Sequence, residues 1–92
     1  RMNLEELRQE INQIDDELIK LLEKRMDLVS KVVSYKLETG KAVLDSKREE
    51  TILNKVAEAV ESPVYKDVIV NTFTDMMKHS RAFQERHIRQ TR

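Results

Sequence analysis

The sequence predicts an all-α fold of three helices, long, short and long, and three observations carry that prediction. Among 92 residues there is one glycine, one proline, two Tyr, two Phe and no Trp. Leu, Glu, Lys and Ile dominate instead, a composition that favours helices over strands. Apolar residues also recur three and four apart over long stretches, the period of a helix with one buried face.

The first helix is expected over about residues 4–38. Its stripe runs Leu4, Leu7, Ile11, Ile14, Leu18, Leu21, then Leu28, Val32 and Tyr35. Asn3 is placed to cap it, with Glu6 three residues on, and Gly40 is placed to close the other end. At 1.5 Å per residue such a helix is roughly 50 Å long, whereas a compact globule of this size is about 33 Å across. It must therefore overhang its own domain, and an apolar overhang needs a second subunit to cover it, so a homodimer is expected.

A short loop over 39–45 leads into a second helix, expected over 46–61, with Ile52, Leu53, Val56 and Val60 as its buried stripe. Ser62-Pro63 reads as a cap followed by the first helical position of a third helix, expected over 63–89. Its stripe is Tyr65, Ile69, Phe73, Met76, Met77, Ser80, Phe83 or Gln84, and Ile88. The whole of 1–92 is expected to form a single domain, since a chain this short supports no more than one core and buries only about 60% of its unfolded surface.

Composition excludes several function classes. With no cysteine there is no disulfide framework and no thiolate metal site. A single glycine cannot build a P-loop or a GxGxxG turn. No apolar run approaches the 18 to 20 residues of a membrane span, and no secretory leader pattern is visible, so a cytoplasmic location without membrane contact is expected. Lys+Arg and Asp+Glu balance at 17 each, which argues against a general binder of nucleic acid. The segment Lys78–Arg92, with five Lys/Arg against one Glu, is the exception and a minor lead. His79 and His87 lack a third ligand at a plausible spacing, so no metal site is expected.

What remains is a set of polar residues where the pattern calls for apolar ones. Arg25 interrupts the seam of the first helix, and a guanidinium there is costly unless an anion meets it. Lys36, eleven residues on, projects from nearly the same face about 16 Å further along. Two cations so placed can converge on one small dianion. Arg8 sits about 26 Å from Arg25 along the axis, too far for one small ligand in one chain. Glu49 shares the stripe of Ile52 and Val56, although the Ser46–Glu49 spacing equally fits a capping box. Arg48 reads as a solvated surface residue, and Ser80 and Gln84, four apart, bring a hydroxyl and an amide to the third stripe. Each of these has a bland structural explanation when taken alone. Together they describe a cationic cavity with one carboxylate in a helical bundle, and no nucleophile–base pair accompanies them.

In order along the chain, Leu7-Arg8 with Ile11, the E-K-R-M stretch holding Arg25, Tyr35-Lys36, Asp45-Ser46-Lys47-Arg48-Glu49 and Ser80-Arg81-Ala82-Phe83-Gln84 resemble the AroQ-type, all-helical chorismate mutases. The resemblance implies an intertwined dimer of three helices per chain and a cofactor-free Claisen rearrangement of chorismate to prephenate, on the route to Phe and Tyr. It further implies that Arg25, and Arg8 from the other subunit, clamp carboxylates. Lys36 and Gln84 would donate to the ether oxygen, Glu49 and the backbone of Asp45 would accept from the ring hydroxyl, and Ser80 and Arg48 would support the ring carboxylate. An isochorismate-pyruvate lyase of the same fold is the nearest alternative, and Glu49, an acceptor for chorismate's ring hydroxyl, favours the mutase. A non-catalytic helical dimerisation module is the alternative from another class.

Overall fold

A computed structural model describes residues 3–91 and contains three helices: α1 (Leu4–Thr39), α2 (Ser46–Ala59) and α3 (Pro63–Thr91). Arg92, the last cation of the basic tail, lies outside the described residues.

The ends of α1 follow from two residues. The Asn3 side chain accepts the Glu6 N–H at 2.9 Å, and Glu5 and Glu6 place negative charge at the positive end of the helix dipole. At the other end Gly40 turns left-handed (φ 71°) and donates its N–H to the Lys36 carbonyl at 2.8 Å, a conformation that costs any residue with a Cβ. For α2 the cap is Asp45, whose side chain accepts the Arg48 N–H at 3.0 Å. The Ser46–Glu49 capping box therefore does not form: Asp45 takes the cap one residue earlier, and the Glu49 carboxylate is engaged elsewhere. α2 stops at Ala59, short of the expected 61, because the link 60–62 must leave the helix before Pro63, whose ring disfavours helical backbone at the preceding residue. Pro63 occupies the first position of α3, where its missing N–H costs nothing, and the Ser62 carbonyl accepts from Tyr65 N–H at 3.1 Å.

α3 packs on both α1 and α2, while those two do not pack on each other among the described residues. The molecule measures 57 × 25 × 15 Å with a radius of gyration of 16.6 Å, well above the roughly 12 Å of a compact chain this long. Its core is small: Val33, Val43 and Ile88 are buried with Leu37 packed against them, and Met77 is buried beside the site. The face that α1 turns to its own chain is thus Val29, Val33 and Leu37. The stripe expected to need a second subunit is left uncovered by this chain's described residues, with Leu28, Val32 and Tyr35 exposed along with Leu4 through Leu21. Every residue from Asn3 to Lys24 is exposed. Tyr65, expected on the stripe of α3, is also exposed: it sits on the first turn, one turn before Ile69, which shares a cavity with Ala59 and Val60 at the end of α2.

Candidate functional site

The polar residues of the three stripes meet. A cavity of about 300 Å³ between the C-terminal half of α1, the start of α2 and the C-terminal half of α3 is lined by Arg25, Lys36, Asp45, Arg48, Glu49, Ser80, Arg81 and Gln84. Leu28, Val29, Val32, Ile52 and Met77 form its apolar walls. A larger cavity of about 590 Å³ adjoins it, lined chiefly by Ile52, Val56, Val60, Ile69 and Phe73 and sharing Arg25 and Arg48. It adds Thr51 and Lys55 but holds neither a carboxylate nor an amide, so a ligand that presents hydroxyl and ether oxygens as well as carboxylates finds its full set of partners only in the smaller one.

Helical spacing explains the convergence on α1. Arg25, Val29, Val33 and Lys36 are three and four apart and share one face, so the packing that buries Val33 aims both cations at α3. The Lys36 ammonium donates to the Val43 carbonyl at 2.9 Å and to Gln84 Oε1 at 2.9 Å. An ammonium has three donors, so one proton remains for a ligand. Gln84 is buried, and with its Oε1 taken by Lys36 its Nε2 turns toward Ser80 Oγ at 3.4 Å, a long bond that leaves donor capacity. Arg25 is half-buried and its Nη1 is fully buried with no hydrogen-bond partner among the described residues. Such an orphan costs about 1–3 kcal/mol, and more when charged, unless something binds it.

On the opposite wall the Glu49 carboxylate accepts from Arg81 Nη1. Asp45 and Arg48 are exposed at the rim. Four cations thus face two carboxylates, an excess of positive charge suited to a small dianion. Arg8 is the one expected site residue that this chain does not bring here: it lies exposed near the start of α1. Two participants were missed by sequence reasoning. The Val43 carbonyl is a backbone atom of a loop and leaves no side-chain signal. Arg81 occupies an unspecified place inside the S-x-x-x-Q pattern, and an arginine there carries no signal that separates it from a solvated helix residue.

Comparisons with known proteins agree with one another. The family described as chorismate mutase type II matches residues 7–85. A chorismate mutase of Methanocaldococcus jannaschii is 27% identical over 89 residues, covering 96% of this chain and 90% of that protein. A bifunctional chorismate mutase/prephenate dehydratase of Buchnera aphidicola is 43% identical over 49 residues, which are 53% of this chain and 13% of that longer protein. No helix among the described residues is long and apolar enough to cross a membrane.

Proposed function

From membership of the chorismate mutase type II family, to which the chain belongs, we propose that the 300 Å³ cavity is where chorismate is isomerised to prephenate. The observation that carries this assignment is the buried Nη1 of Arg25, without a partner among the described residues, in the same cavity as the Lys36–Gln84 pair, a donor set waiting for an anionic, oxygen-rich ligand.

The reaction breaks the ether C–O bond as a C–C bond forms within one molecule. No atom is gained or lost and no nucleophile is needed. Catalysis then rests on two physical effects. The flexible dicarboxylate must be held in a compact chair-like arrangement, which the fixed cations accomplish by pairing with its carboxylates. Negative charge then grows on the ether oxygen, and donors already in place there stabilise the transition state more than the substrate. The free proton of Lys36 and the spare donor of Gln84 Nε2 fill that role. Because Lys36 is itself fixed by Val43 and Gln84, no reorganisation is required as the charge develops. Glu49 and the backbone of Asp45 accept from the ring hydroxyl, while Ser80 and Arg48 support the ring carboxylate.

The second carboxylate clamp is Arg8 of a second copy in an intertwined homodimer. Support for this comes from the apolar residues exposed along α1, among them Leu4, Leu7, Ile11, Ile14, Leu18 and Leu21, which none of the described residues of the same chain covers. A solvent-facing stripe of this length is the mark of a helix meant for a partner. Following the loss of chorismate absorbance with the purified protein tests the assignment. Saturable turnover to prephenate is expected, and a protein that leaves chorismate at its uncatalysed rate would refute it.

A further inference from the structure

Arg81 is the one cation of the cavity to which the mechanism above gives no task. It follows the buried Ser80 on α3, and its Nη1 donates across to Oε1 of Glu49 on α2. Both side chains are half-buried, at 31% and 23% exposure, so the pair is less screened than a surface ion pair. The grip is one-sided. Glu49 Oε2 carries no hydrogen bond among the described residues, and the neighbouring Arg48 is exposed at the rim with its backbone N–H given to Asp45.

We infer that Arg81 is a positioning residue for Glu49, holding one carboxylate oxygen so that the other is presented to the substrate's ring hydroxyl. This rests on the assignment of chorismate to the cavity. Two physical reasons support it. A glutamate side chain loses rotamer freedom when it is ordered, and Arg81 imposes that order before the substrate arrives. Glu49 also carries negative charge in a site that must accept a dianion, and Arg81 offsets it at hydrogen-bond distance, where a rim cation such as Arg48 does not. The ring hydroxyl takes no part in bond making or breaking. Its contact with Glu49 is made equally in substrate and transition state, so disturbing it raises KM and leaves kcat largely alone.

Steady-state kinetics on chorismate with the parent, Arg81→Met, Arg81→Lys, Glu49→Ala and the Glu49→Ala/Arg81→Met double variant test the inference. For Arg81→Met a rise in KM of about tenfold is expected, with kcat within about threefold, the scale of one charge-assisted hydrogen bond partly lost. Arg81→Lys should recover most of the KM, and in the Glu49→Ala background the Arg81 change should add less than about twofold, because its intermediary is gone. Parental kinetics in Arg81→Met would overturn the inference. So would losses that multiply in the double variant, which would mean that Arg81 touches the substrate itself. Should Arg81→Met fail to fold by circular dichroism, Arg81→Gln replaces it with the same expectations. Turnover by the parent separates the two levels: a parent without activity refutes the assignment of the cavity, whereas an active parent with unaffected Arg81 variants refutes only the role of Arg81.

Discussion

The two halves of α1 are built from similar residues and meet opposite fates. From Val29 onward the helix has its own chain to pack against, with Val33 buried against Val43 and Ile88 and Lys36 tied to α3 through Gln84. From Leu4 to Lys24 it is exposed throughout, although Leu7, Ile11, Ile14 and Leu18 are as apolar as anything in the core. A heptad-like pattern therefore states that a face will be buried without stating by whom. The C-terminal half lines the candidate site, and the N-terminal half carries what is proposed to complete it in a second copy, both the apolar surface and Arg8.

The sharpest way to break this comparison is to charge the open half. In the proposed dimer Leu18→Glu would put a carboxylate into the interface twice, each costing a few kcal/mol, so association should weaken by roughly 10³-fold or more. Sedimentation should then report monomers where the parent is dimeric, and chorismate turnover should disappear with the dimer. A change confined to the closed half should act on chemistry instead. Lys36→Met keeps the aliphatic stem and removes the proposed donor to the ether oxygen, so kcat should fall by roughly 10² or more with the oligomeric state unchanged from the parent's.

Gln84→Glu asks whether the amide works as a donor. A free glutamate ionises near pH 4.3, so at neutral pH the substitute presents an anion to the developing oxyanion and cannot donate. Lowering the pH protonates it and restores a donor, so kcat relative to the parent should rise from pH 8 toward 4.5. Parallel profiles would return Gln84 to the role of a satisfied core amide. The smallest effect belongs to the turn that ends the closed half. Gly40→Ala meets no atom within 4 Å, yet it holds a residue with a Cβ at φ 71°, so thermal or urea unfolding should show a loss of about 1 kcal/mol with turnover unchanged.

What could be read from residues alone depended on whether a signal was periodic. Arg25, Glu49, Ser80 and Gln84 stood out because each interrupts an apolar stripe, and they meet because α3 packs on both α1 and α2. Fold class, the start of each helix and the end of α1 followed from caps and breakers: Asn3, Asp45 or Ser46, and Pro63 at the starts, Gly40 at the end. Two adjacent faces of α1 are apolar: Val29, Val33 and Leu37 meet the same chain, while Leu28, Val32 and Tyr35 stay exposed with the rest of the seam, and spacing alone cannot say which face meets α3. The Ser46–Glu49 pair shows a local motif losing to a tertiary contact, since Asp45 caps α2 and Glu49 reaches Arg81. Arg81 itself was hidden because an arginine between two pattern positions resembles any solvated helix residue until α2 is placed beside it.

The central claim, that each site is completed across two chains, is tested most directly by mixing Arg8→Ala protein with Arg25→Ala protein and measuring chorismate turnover after subunit exchange. Each parent variant lacks a clamp in both of its sites. In a heterodimer the intact Arg25 of one chain meets the intact Arg8 of the other at one site, and the second site carries both defects. With random pairing half of the dimers are mixed, so about a quarter of the unmutated activity should return. A mixture that stays as inactive as its parents, with exchange demonstrated independently, would contradict the account and return Arg8 to the solvent-exposed surface of its own helix.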